Sequence, residues 1–206
     1  MRLALERLEA NGEIVRRQGS GTFVGRVAAP AAFSEGLEVL ESYTSLARRQ
    51  GKRLAARAVE IEEVQAPGYV AEALGIPLRS NVLSIRRTLS ADRAPAAYMH
   101  DYVPRDLGLS DTAAIKSSLR RGKMVLDLLI AQGLAVAFAR TQIRPRLVEP
   151  RDPIGEALGI NRVTAMLEVT ELMHLAEGRA VQYSIDVFVP GSVDLHVIRG
   201  IGPSSG

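Results

Sequence analysis

The sequence predicts an α+β fold in which an antiparallel sheet carries flanking helices, and two observations point to it. The first is an internal repeat. Glu72-Ala-Leu-Gly-Ile76 returns as Glu156-Ala-Leu-Gly-Ile160, each copy behind a proline-led turn at Pro67 or Pro153. The second lies just beyond each copy: an extended run, a polar turn and another extended run closing on Val-Pro, at Val103-Pro104 and Val189-Pro190. Each unit therefore reads as a short helix followed by a β-hairpin. Two units are too few for a solenoid, and hairpins form antiparallel ladders, so a duplicated antiparallel sheet is expected.

At the start of the chain, Leu3, Leu5 and Leu8 recur at helical spacing, with Asn11-Gly12 as the stop. Glu13-Ile14-Val15 and Thr22-Phe23-Val24 are short extended pieces around the turn Gly19-Ser20-Gly21. The small, proline-containing stretch Gly25 to Ala32 has no periodicity and reads as a linker. Tyr43 to Gln50 predicts a helix capped by Ser42 or Thr44, and Arg57 to Val64 alternates as a strand. The first hairpin turns within Ser90 to Ala94 and the second within Ala176 to Arg179. Between the units, Gly122 to Gln132 predicts a helix and Ala135 to Arg144 a strand, and Leu195 to Ile201 a closing strand. The chain thus divides into a basic element over 1–26, a linker over 27–32, one large domain over 33–201 and a loose tail over 202–206.

Composition bounds the function. The 206 residues are 47% hydrophobic and 24% charged, the balance of a soluble globular chain. A net charge of +3 and a pI near 9.5 permit nucleic-acid binding without requiring it. Residues 1–26 hold five Arg against three Glu. With no cysteine there is no disulfide, thiolate nucleophile or Cys-ligated zinc. No signal-peptide pattern opens the chain and no apolar run reaches ~18 residues, so a cytoplasmic protein with no membrane partner is expected. No Ser-His-Asp arrangement or phosphate-binding glycine motif occurs, and His100, His174 and His196 are scattered without metal-ligand spacing. Each histidine reads as a strand surface residue, and no cofactor is expected.

At the first turn, Arg16, Arg17 and Gln18 place positive charge and an amide beside Gly19, Ser20 and Gly21. A glycine tip lies close to a phosphate backbone because no side chain holds it away, and basic neighbours neutralise phosphates. Ala4, Leu5, Leu8, Gly12, Gln18-Gly19 and Gly21-Thr22-Phe23-Val24 stand in an order and spacing that resembles the end of the GntR-type winged helix-turn-helix. The resemblance implies a truncated winged-helix remnant over residues 1–26. Met1 would fall inside the DNA-reading helix, with Arg2 on its exposed side, and Arg16, Arg17 and the Gly19 to Gly21 tip would approach backbone or minor groove. DNA is the implied partner of the full-length form. For this chain the same reading expects only weak, salt-sensitive, sequence-indifferent binding.

The remainder, about Phe33 to Arg199, resembles the UTRA effector domain of the HutC branch of GntR regulators. That domain shares the chorismate-lyase fold, dimerises in the family and holds a small metabolite. A homodimer and a small-molecule effector are therefore implied.

Strand parity gives a site without the family. Leu83, Ile85, Arg87 and Leu89 share one face of a strand, so Arg87 is a charge on an apolar row. A buried guanidinium needs an anion. Glu171, in line with Leu167, Val169 and Met173 in the second repeat, is an internal candidate, and an effector is the other. The resemblance places effector-binding roles at Ser42, Tyr43, Thr44 and Arg87. It also places them at Leu89, Met99, Met124, Leu126, Gln182 and Phe188, where the family usually carries arginine, carboxylate, serine, tyrosine or glutamate. Ser42 and Thr44 equally well cap a helix. A pocket so apolar leaves sugar hydroxyls without partners. The expectation is an effector with an anionic head at Ser42, Thr44 and Arg87 and a largely apolar body fitted by methionines.

The function so read is a ligand-responsive transcription regulator, a repressor by family habit. A dimerisation or partner module without an effector is the alternative. A chorismate-lyase-like enzyme is a remote third, since Arg87 alone is a thin catalytic apparatus.

Overall fold

The computed structural model describes residues 14–17, 21–24, 33–37 and 39–197. Strands β1 (Ile14–Arg17) and β2 (Gly21–Val24) form an antiparallel hairpin in which Arg17 pairs with Gly21. Arg2, Gln18, Gly19 and Ser20, the first helix, the linker over 27–32 and the tail over 202–206 lie outside the described residues.

The main sheet holds β4 (Leu54–Gln65), β5 (Asn81–Ala91), β6 (Ala94–Pro104), β7 (Val136–Val148), β8 (Thr164–Leu175) and β9 (Ala180–Phe188), in the order β4-β5-β6-β9-β8-β7. Every neighbouring pair is antiparallel. The duplication is larger than the sequence repeat. Helix α2 (Gly68–Leu74) lies between β4 and β5, and α5 (Pro153–Leu158) between β7 and β8. Each unit is therefore strand–helix–hairpin, and the units meet where β6 pairs with β9. Both repeated helices end on a glycine in the left-handed region, Gly75 at φ 63° and Gly159 at φ 67°. A left-handed C-terminal residue stops a helix, and only glycine adopts it without a Cβ clash.

Two-sided burial fixes the layers. Val70, Ala71 and Leu74 of α2 pack with Val82 and Tyr102, and Ile154 and Leu158 of α5 pack with Met166 and Val187. The opposite face, carrying Leu83, Ile85 and Val103, is covered by α3 (Thr112–Arg120) and α4 (Val125–Ala131). Helix α1 (Tyr43–Arg49) continues that layer over Leu89, Ala97, Met99 and Phe188. Strand parity is why this works: residues i and i+2 line one face, so each strand feeds both layers.

Several elements differ from expectation. Helix α3 has no counterpart in the sequence reading, because only Ile115 and Leu119 bury. The helix expected over 122–132 shrinks to Val125–Ala131, since Gly122 turns at φ 88° to end the preceding helix. Strand β7 runs beyond Arg144 to Val148, through Pro145, which an edge strand tolerates. The closing strand is β10 (Val193–His196), earlier than expected, and it pairs in parallel with an unforeseen β3 (Phe33–Gly36). The hairpin turns fall where predicted. Asp92 and Arg93, both at positive φ, make the two-residue turn of the first. Gly178, at φ 88°, sits in the second.

Candidate effector cavity

A small, partly open cavity of about 20 Å³ lies between the α1/α4 layer and the sheet. From the predicted set it brings together Ser42, Tyr43, Arg87, Met99, Met124, Leu126 and Gln182. Thr44, Leu89 and Phe188, also expected there, are not on its wall. Leu89 and Phe188 belong to the apolar cluster behind it, where Phe188 meets the Tyr43 ring edge-on at 5.3 Å, and Thr44 is buried beside Ser42. Thr44 thus holds the α1 start rather than facing the space.

Ser42 caps α1: its Oγ accepts from the Ser45 backbone N–H at 3.4 Å and donates to Ser45 Oγ at 2.9 Å. At the other wall the Met124 backbone N–H donates to the Asp127 carboxylate at 2.7 Å, fixing the start of α4. Two helix starts therefore roof the cavity, and the sheet is its floor.

The floor is polar in ways the sequence reading missed. Register sets Arg87 opposite Met99 and Ile85 opposite Asp101 on β6. It continues from Asp101 to Ser184 on β9, from Ser184 to Glu171 on β8 and from Glu171 to Thr141 on β7. The partner of Arg87 is Asp101, not Glu171: the guanidinium Nη1 donates to Asp101 Oδ2, and both side chains are almost wholly buried. Asp101 Oδ1 also accepts from Gln182 Nε2 at 2.6 Å. Glu171 instead accepts from the Thr141 hydroxyl at 2.7 Å. Burial pushes the Glu171 carboxyl above its ordinary value; the Thr141 hydrogen bond opposes that and the Asp101 charge adds to it. Asp186 and Glu41 also line the space. The parity rule that singles out Arg87 applies equally to Asp101 among Ala97, Met99 and Val103, so the signal for it was there.

Arg87 Nε, Gln182 Oε1 and Ser184 Oγ are buried without a hydrogen-bond partner among the described residues. Buried polar atoms are normally satisfied, so three such exceptions on the wall of one cavity set it apart from the rest of the core. The wall is otherwise apolar, from Met99, Met124, Val125, Leu126 and Met173. A second, larger groove of about 150 Å³ adjoins it, lined by Leu37, Val39, Leu40, Phe138, Ala139 and Thr141, and shares Glu171 with the first.

The histidines are half-buried rather than surface groups. His100 bonds Ser84 Oγ at 2.8 Å, with burial lowering its pKa, and His174 stacks on Phe138 at 4.7 Å. Of the residues expected to meet DNA, Arg16 and Arg17 lie on β1 and Gly21 opens β2.

A palindromic six-stranded antiparallel sheet with helices on both faces and a cavity at its seam makes this an α+β domain. The chain belongs to the UTRA domain family, whose model matches residues 49–193. It is 21% identical to the HTH-type transcriptional repressor NagR of Bacillus subtilis, over 91% of this chain and 73% of that protein. Its fold matches the crystal structure of PhnF from Mycobacterium smegmatis with TM-score 0.72 at 20% identity, covering 98% of this chain and 84% of that one. The effector domain of PhnF, solved alone, matches with TM-score 0.66 at 18% identity, covering 82% and 99%. The related proteins are GntR-family transcriptional regulators of the UTRA-bearing, HutC type, not enzymes. Among the described residues, no helix is long and apolar enough to cross a membrane.

Proposed function

We propose that this chain is the regulatory part of a ligand-responsive, DNA-binding repressor that acts as a homodimer. A small effector enters the cavity over Arg87 and changes how the paired winged helices present themselves to DNA. The observation that carries this reading is the group of orphaned polar atoms, Arg87 Nε, Gln182 Oε1 and Ser184 Oγ, at a cavity with a polar floor and methionines and aliphatic side chains on its walls. The anionic group anticipated at Arg87 has Nε to receive it, since Asp101 occupies the Nη1 end. The methionines and Leu126 fit an apolar body by conforming to it.

Coupling between effector and DNA is then a free energy shared by two sites. The test uses the protein as its gene encodes it. Genomic fragments it retains are recovered, and the retained DNA is challenged with a small-molecule extract of the source cells. The expected result is a fragment protected over two half-sites about 10 base pairs apart, released by the extract. Failure to retain any fragment, or retention indifferent to every fraction, overturns the proposal.

A further inference from the structure

We infer that the cavity floor holds a subsite for an organic cation, so the effector carries a protonated amine seated over Ser184 between Asp101 and Glu171. This rests on the effector reading above and adds the charge of one of the effector's groups.

Charge balance on the wall is uneven. Arg87 is the cation there, and its charge is matched by Asp101. Glu171 lines the same wall with the Thr141 hydroxyl as its hydrogen-bond partner and no cation paired with it among the described residues. A carboxylate held in such a place without a positive partner is unfavourable, and a guest cation relieves it.

Register supplies the geometry. Ser184 is the cross-strand neighbour of both Asp101 and Glu171, so the two carboxyls flank it at one strand spacing, about 4.8 Å, on either side. A group resting over Ser184 is within reach of both. The second, independent observation is Ser184 itself. Its side chain is 2% exposed and its Oγ lacks a partner among the described residues. Gln182 adds an acceptor: its amide nitrogen is committed to Asp101, which leaves Oε1 facing no donor. Around Ser184 the Asp101 and Glu171 carboxylates and Gln182 Oε1 are acceptors, and an ammonium, with three donors and no acceptor, complements them.

A metal ion fits less well. No group of three or more His, Cys, Asp or Glu side chains among the described residues is placed to hold one. An amine needs no such convergent ligand set. Its carbon body has somewhere to go, because Glu171 also borders the groove under Leu37, Val39 and Leu40.

The experiment measures binding of phenethylamine and of 3-phenylpropionate to the 206-residue chain by calorimetry and thermal shift. The proteins compared are the wild type, Glu171→Gln and Ser184→Ala. Phenethylamine is expected to bind and raise the Tm, with affinity at least tenfold weaker in Glu171→Gln and weakened in Ser184→Ala. Its binding is also expected to fade as pH falls and Glu171 takes up its proton. If Glu171→Gln does not fold, Ser184→Ala and the wild-type pH profile carry the same test. Amine binding indifferent to both substitutions and to pH overturns the inference, as does binding by the acid alone or by neither probe. The DNA-release experiment judges the regulator reading separately, so the subsite can fail while that reading stands.

Discussion

At the residue scale, the Arg87–Asp101 pair is the most consequential contact, because both partners are charged and almost wholly buried. Arg87→Ala is expected to destabilise the fold by about 3–5 kcal/mol, since it strands a buried carboxylate. Arg87→Met with Asp101→Leu removes both charges, so most of that loss returns. A residue of about 1–3 kcal/mol remains from the Gln182 amide, which loses its acceptor. Urea denaturation of both variants checks the contrast, and equal losses would mean the charges are not what matters there. Glu171 gives a pH signature. Its folded-state carboxyl binds the proton more tightly than the unfolded chain does, so stability is greatest in acid and declines as pH rises through the folded value. Glu171→Gln cannot ionise. Its Tm advantage over the wild type should therefore widen between about pH 4 and pH 7 in ligand-free protein. A constant difference would place Glu171 in water.

At the element scale, the repeat was legible because its signals are local. A Glu-Ala-Leu-Gly-Ile string carries its own left-handed stop, and an alternating run either side of a turn needs no distant partner to be recognised. The strand that begins each unit was seen without being joined to the repeat, as β4 and β7 share no sequence string. Helix α3 was illegible for the opposite reason: two buried residues one turn apart are too faint a stripe. Strand β3 is four residues long and exists through pairing with β10, far along the chain. The two copies also diverge at one testable point. Ala71 in α2 is matched by Gly155 in α5, where a Cβ would sit 2.0 Å from the Glu149 carbonyl oxygen. Gly159 has open space around it and asks only for its backbone conformation. Gly159→Ala should therefore destabilise by about 1–2 kcal/mol, and Gly155→Ala by more, because backbone has to move. Thermal denaturation of the pair ranks them, and the reverse order would show that the α5–Glu149 approach relaxes easily.

At the scale of the whole molecule, the cavity is built at the seam between two copies of one unit, with Arg87 and Asp101 from the first and Glu171, Gln182 and Ser184 from the second. The sequence made the first half readable, since a lone arginine on an apolar row stands out. It hid the relation between the halves, because which residues face each other across β6 and β9 is decided by a pairing of strands about 80 positions apart. That seam also fixes how the molecule responds. A volume of about 20 Å³ admits little more than one water, so any effector has to enlarge it. The floor cannot yield, because β6, β8 and β9 are hydrogen-bonded on both edges. The roof can: Glu41 to Tyr43 and Met124 to Leu126 are helix starts resting on side-chain contacts. Directly before α1, the Leu37 N–H is tied at 2.9 Å to the His196 carbonyl beside the β3–β10 pair, which receives the chain coming from the β1–β2 hairpin. On the proposed function, movement of the roof would reach the β3–β10 pair through this contact and from there the chain that leads back to the β1–β2 hairpin. Hydrogen–deuterium exchange with and without a bound effector should accordingly change at 39–46 and 124–129 and stay constant along β6 and β9. Changes confined to the sheet, or spread evenly over the chain, would mean that the signal leaves the cavity by another path.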